Sequence, residues 1–159
     1  MNIAGIDYND TAAAPGLSLT IYVSGCEHRC PGCHNPEAWD FNYGEELNTE
    51  IMYKILNGLT ANNISRTLCI MGGEPLHPKN RETVGDIIIN VRERFPDIKI
   101  WLWTGYLYED LLMEHNPTLN YIFNKIDVLV DGPYIQEQRD VTLKARGSRN
   151  QRIIYLQPQ

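Results

Sequence analysis

The sequence predicts an α/β fold of mostly parallel strands, and three observations predict it. Segments of strand and helix character alternate about every thirty residues, which implies right-handed crossovers between parallel strands. Thr67-Leu-Cys-Ile-Met71 is apolar almost throughout, the pattern of a strand covered on both faces. Four strand-like segments each run into a polar or glycine-rich turn. In a parallel sheet such turns share one edge, and that edge is where ligands collect.

Residues 1–16 are polar and punctuated by Gly and Pro, and read as an N-terminal wrap over the surface, with the core at about 17–156. Leu17-Ser-Leu-Thr-Ile-Tyr-Val23 alternates and is rich in β-branched residues, so it reads as the first strand. It feeds Ser24-Gly25 and a cysteine loop. Pro36 suits the start of a helical turn through Trp39. Asn48 or Thr49 can cap a helix carrying Ile51, Ile55, Leu56 and Leu59, ended at Asn62-Asn63. Thr67–Met71 then empties into Gly72-Gly73-Glu74-Pro75. Val84, Ile87, Ile88, Val91 and Phe95 form the stripe of a helix stopped by Pro96. Ile98–Trp103 alternates as a strand and ends in Thr104-Gly105. Helical stretches over Tyr108–His115 and Thr118–Asn124 lead to a strand at Ile126–Val130, ending in Asp131-Gly132. Gln151–Leu156 is an additional or edge strand.

A chain of 159 residues, 43% hydrophobic and 21% charged, suits a single domain (1–159) with a sizeable core. No apolar run approaches the ~18–20 residues of a membrane span, and the N-terminus lacks the basic and apolar regions of a secretion signal. A cytoplasmic, reducing location follows, which keeps four thiols available as ligands. A net charge of −6 argues against broad nucleic-acid binding. The local exception is Arg139, Lys144, Arg146, Arg149 and Arg152, a partner-facing surface or simply a solvated face.

Three of the four cysteines lie within Gly25-Cys26-Glu27-His28-Arg29-Cys30-Pro31-Gly32-Cys33-His34-Asn35. Thiolates at C-x3-C-x2-C spacing can converge on one soft metal centre, and iron–sulfur clusters are held in this way. Three ligands to a four-iron cubane leave one iron open, which a catalytic cluster needs. Other readings fit less of the motif. Cys-Pro-Gly-Cys-His matches haem attachment, and Cys-Pro-Gly-Cys a thioredoxin-like pair, but neither gives Cys26 a role. A closed zinc site would need His28 or His34 as a fourth ligand at cramped spacing. Cys69, inside an apolar strand, reads as a buried core thiol. His77 and His115 read as surface or packing residues, and at least one of Trp101 and Trp103 as core.

Cys26-x3-Cys30-x2-Cys33, followed about forty residues later by Gly72-Gly73-Glu74-Pro75, resembles the radical S-adenosylmethionine superfamily. Cys30-Pro-Gly-Cys-His-Asn35, Asp131-Gly-Pro-Tyr134 and Arg146-Gly-Ser-Arg-Asn-Gln-Arg152 are similar to one branch of it, the activating proteins of anaerobic (class III) ribonucleoside-triphosphate reductase. The resemblance runs from about Pro15 to Ile154. Gly32 departs from the aromatic residue that the wider superfamily often has before the third cysteine, and suits the branch.

The resemblance implies a partial (βα) barrel, a truncated superfamily core. It implies that Cys26, Cys30 and Cys33 ligate a [4Fe–4S] cluster with an open iron. S-adenosylmethionine would chelate that iron, with Gly72, Gly73, Glu74 and Pro75 receiving its amino group and Gly32, Cys33 and His34 against the adenosyl moiety. Thr104 and Asp131, at strand ends, could also touch the ligand. Reduction by a flavodoxin-type donor would release methionine and a 5′-deoxyadenosyl radical, which makes a glycyl radical on the reductase. The alternatives are an activase of another glycyl radical enzyme, such as pyruvate formate-lyase, and a non-catalytic iron–sulfur redox module.

Overall fold

The computed structural model describes residues 1–158 and places seven strands in one mixed sheet. They are β1 (Asn2–Asp10), β2 (Ser18–Val23), β3 (Glu45–Glu46), β4 (Thr67–Gly72), β5 (Ile100–Trp103), β6 (Val128–Asp131) and β7 (Arg152–Tyr155). The spatial order is β3-β1-β2-β4-β5-β6-β7. The central four, β2, β4, β5 and β6, are mutually parallel, whereas β1, β3 and β7 pair antiparallel at the flanks. The helices are α1 (Thr49–Gly58), α2 (Arg81–Arg94), α3 (Tyr108–Met113) and α4 (Pro117–Lys125).

The expected N-terminal wrap over residues 1–16 is corrected: most of it is β1, paired along β2. The physical reason is a bulge. Ile3 pairs with Val23 but Gly5 with Tyr22, so β1 carries one extra residue there. A bulge shifts the inward face by one. Ile3, Ile6 and Tyr8 therefore all reach the same core cluster, and the period of two is lost from the sequence. Asp10 closes the strand, its carboxylate accepting from Thr20 Oγ1 at 2.6 Å and Ala12 N at 2.8 Å.

Asparagines cap the starts of α1 and α4. Asn48 Oδ1 accepts from Ile51 N at 2.9 Å, and Asn116 Oδ1 accepts from Thr118 N and Leu119 N ahead of Pro117, each satisfying donors that a helix start leaves free. The end of α1 differs from expectation. It stops at Gly58, and Asn62 and Asn63, both left-handed (φ 58° and 59°), turn the connection instead.

The sheet has two unlike faces. Leu19, Ile21, Leu68, Ile70, Ile100, Leu102 and Leu129 point to the helices and join Ile55, Val84, Ile87, Ile88, Val91, Leu119 and Ile122 in the main core. Cys69, Trp101, Val128 and Val130 point the other way, where Ala13, Ala14 and Ala145 cover them in place of a helix layer. The bare end of that second face is where the site forms.

Cys69 is fully buried, and burial pushes its thiol up to about 11 from 9.0. The fold thus favours the protonated thiol, so its stabilising effect is complete below pH ~9 and is lost as pH rises towards ~11. Native protein is expected to leave Cys69 unmodified by iodoacetamide at pH 8, read by peptide mass spectrometry. Between pH ~9 and ~11 its urea midpoint is expected to fall more steeply than that of Cys69→Ala.

Candidate functional site

The carboxyl ends of β2, β4, β5 and β6 surround a cavity of about 250 Å3. Cys26, Cys30, Cys33 and His34 line it from the cysteine loop, Gly72, Gly73 and Glu74 from the turn after β4, and Thr104 from the end of β5. Of the other residues expected at the site, Gly32, Pro75 and Asp131 do not line the cavity.

Local chemistry shapes the cysteine loop. Cys33 N donates to Cys30 O at 3.1 Å, closing a turn with Pro31 and Gly32 at its centre. Gly32 has φ +79°, which a type II turn requires after proline and glycine supplies without strain. The root of the loop is tied by backbone bonds from Gly25 N to Ala38 O (2.8 Å) and Cys26 N to Trp39 O (3.1 Å). Gly73 N donates to Val23 O at 2.7 Å and Glu74 N to Gly25 O at 2.8 Å, so the turn after β4 lies directly on this root. A Cβ on Gly73 would stand 2.7 Å from Gly25 O; only glycine permits that approach.

Glu74 is the hub of the site. It is fully buried. Oε1 accepts from Gly105 N at 2.7 Å and meets His28 Nε2 at 2.7 Å; Oε2 accepts from Leu76 N and Thr104 Oγ1, each at 2.8 Å. One carboxylate therefore joins the cysteine loop, the turn after β4 and the end of β5. Asn80 reinforces it: at the N-cap of α2 its side chain makes no cap bond. Its amide instead donates to Ser24 O at 3.1 Å and Glu74 O at 3.0 Å.

The thiols are all free. Burial pushes Cys26 up to about 11, against the pull of the His28 backbone N–H. Such a thiol gives up its proton to a metal far more readily than to water. Among the described residues, no three His, Cys, Asp or Glu side chains are placed to hold a single metal ion. His28 Nε2 lies on Glu74, and His34 packs against Tyr134 with ring centroids 5.7 Å apart, so neither completes a closed zinc site. Cys26, Cys30 and Cys33 all line the one cavity, and thiolates are the ligands that iron–sulfur clusters take.

Asp131 serves the fold in this structure. Its carboxylate is fully buried and accepts from Tyr108 N at 2.8 Å and from Arg152 Nε at 2.9 Å. Arg152 also forks onto Glu109 through two 2.8 Å bonds, and holds that carboxyl down at about 2. Arg152 thereby leaves the basic run and ties β7 to β6. Trp101 is core, while Trp103 lines the cavity and donates from Nε1 to Ala145 O at 2.7 Å. His77 is buried, 3.3 Å from Glu27.

Sequence reasoning missed the roles of His28, Asn80 and Tyr134. Tyr134 stood within Asp131-Gly-Pro-Tyr134, and His28 between two proposed ligands, so position was their only signal. The partners of both come from distant segments.

Residues 12–154 match the family model described as a 4Fe-4S single cluster domain. A curated relative from Vibrio cholerae is 42% identical over 145 residues, covering 91% of each chain. One from Haemophilus influenzae is 41% identical over 145 residues with the same coverage, and one from Escherichia coli K12 is 36% identical over 148 residues, or 92% of this chain and 94% of that one. Each is named an anaerobic ribonucleoside-triphosphate reductase-activating protein. This chain belongs to that family. The iron–sulfur domain spans nearly all of it, and the cysteine loop, the Glu74 hub and the strand ends that line the cavity lie inside the matched region. The match also extends past the Asp131 and Arg152 motifs. No described helix is long and apolar enough to cross a membrane.

Proposed function

We propose that this protein activates an anaerobic ribonucleoside-triphosphate reductase by reductive cleavage of S-adenosylmethionine. The observation that carries the reading is the meeting of Cys26, Cys30 and Cys33 with Gly72–Glu74 on one cavity, although about forty residues separate the two motifs. In this reading the fold is a partial (βα) barrel formed as one domain. When bound, a reduced [4Fe–4S] cluster would supply the electron for splitting S-adenosylmethionine into methionine and a 5′-deoxyadenosyl radical, which would take a Cα hydrogen from a glycine of the reductase.

The chain's own residues supply binding, orientation and exclusion of water. Cys26, Cys30 and Cys33 would hold the cluster. The turn Gly72–Pro75, bare of side chains at its first two positions, lets a zwitterionic ligand approach the backbone closely. Glu74 fixes that turn, with Pro75 buried behind it. Cys33 and His34 offer the backbone and ring edge for the adenosyl group, with Tyr134 beside His34 and Gly32 shaping the turn behind them. Thr104 orients Glu74, and Asp131 holds the wall that carries Gly132 and Tyr134.

The relatives' names favour the ribonucleotide reductase over pyruvate formate-lyase as the partner. A non-catalytic redox module leaves the cavity beside the cysteines without a purpose. Exposed Arg139, Lys144 and Arg149 are the proposed docking face, and a flavodoxin-type protein in a reducing cytoplasm the proposed electron donor. Anaerobic incubation with reductant, S-adenosylmethionine and the reductase is expected to give the electron paramagnetic resonance doublet of a glycyl radical. No doublet would reject the activase reading.

A further inference from the structure

We propose that His28 is a positioning residue that latches the Cys26–Cys30 turn onto Glu74. The three residues between these cysteines look like spacer in the sequence, yet each is engaged. Glu27 lies 3.3 Å from His77, Arg29 stands 5.4 Å over the Trp39 ring, and His28 Nε2 meets Glu74 Oε1 at 2.7 Å. Glu27 is exposed, and its contact is of the weak surface kind. His28 is different in kind, because its partner is buried and already accepts from three other groups, two of them backbone N–H donors that cannot reverse.

The ring of His28 is clamped on two further sides. It packs edge-on against Tyr106, with centroids 4.6 Å apart. It also lies over Gly105, where a Cβ would come within 2.7 Å of Cδ2. With its proton on Nε2, the imidazole donates to Oε1 and fills the last acceptor site of a buried carboxylate that would otherwise be left short. The latch therefore joins the loop that carries the thiols to a hub whose other donors, Leu76 N, Thr104 Oγ1 and Gly105 N, belong to the ends of β4 and β5. His28 acts through Glu74 and fixes where Cys26 and Cys30 stand relative to the rest of the cavity.

The inference rests on Cys26, Cys30 and Cys33 being cluster ligands, and its test is read without enzyme activity. His28→Phe keeps a ring over Gly105 and against Tyr106 but cannot donate. His28→Gln places an amide N–H at similar reach. In the cluster-loaded protein, iron release to a ferrous chelator is expected to be about tenfold faster in His28→Phe, a change of the size one charge-assisted hydrogen bond supports. It should return to within about threefold of wild type in His28→Gln. In the metal-free protein, alkylation of buried Cys26, followed by peptide mass spectrometry, should show the same order. Phe matching wild type in both assays, or Gln failing as badly as Phe, would overturn the latch. If wild type takes up no cluster, the ligand assignment fails by itself, and the alkylation rates still decide the latch.

Discussion

Cys26→Ala, Cys30→Ala and Cys33→Ala are each expected to lose the iron–sulfur cluster, while Cys69→Ala keeps it. The proposed ligand set and the place of each thiol decide the difference. Three thiols line the cavity, and removing one thiolate leaves two bonds to hold a four-iron unit. Altering groups one step further out already costs 10–100-fold in metal affinity, so direct loss should exceed about 100-fold. Cys69 lies mid-strand against Trp101 and Val128 on a covered part of the sheet, and trimming its buried sulfur should cost about 1 kcal/mol of stability and no iron. Iron and acid-labile sulfide, measured after anaerobic reconstitution, separate the two classes. A cluster retained in Cys30→Ala, or lost in Cys69→Ala, would refute the assignment.

Glu74→Gln is the second large effect, and its cause is satisfiability. A carboxylate accepts on both oxygens, whereas an amide has one acceptor and one donor. Thr104 Oγ1 and His28 Nε2 can reverse their roles, but Leu76 N and Gly105 N cannot. These two backbone groups lie on different oxygens of Glu74. Whichever way the substituted amide is turned, one buried N–H faces another donor. An unpaired buried group costs about 1–3 kcal/mol, and the loosened His28 and Thr104 contacts add to it. A loss of about 2–4 kcal/mol should lower the melting temperature by roughly 5–15 °C for a chain of this size, measured by calorimetry on metal-free protein. An unchanged melting temperature would show that the carboxylate is not the organiser of the site.

The parallel core and the cysteine loop were legible because each is written locally. Thr67–Met71 carries its own apolar run, Pro31-Gly32 its own turn, and Val84, Ile87, Ile88 and Val91 their own stripe. β1 was not legible, because the bulge between Ile3 and Gly5 breaks the alternation that marks a strand. Glu74 was legible as a site residue from Gly72-Gly73-Glu74-Pro75, but its hub role was not. Its donors come from His28, Leu76, Thr104 and Gly105, segments that only the sheet brings together. Asp131 shows the same limit: a strand-end carboxylate suggests a ligand contact, and nothing local reveals that Arg152, 21 residues on, occupies it.

Three cysteines and the Gly72–Pro75 turn are proposed to make one site for reductive cleavage of S-adenosylmethionine. The most direct test is to reconstitute the cluster anaerobically, reduce it with dithionite, add S-adenosylmethionine and the reductase, and assay 5′-deoxyadenosine and methionine. Both products are expected in equal amounts, and neither from the Cys26→Ala protein. An intact, reducible cluster that yields neither product with the reductase present would contradict that proposal.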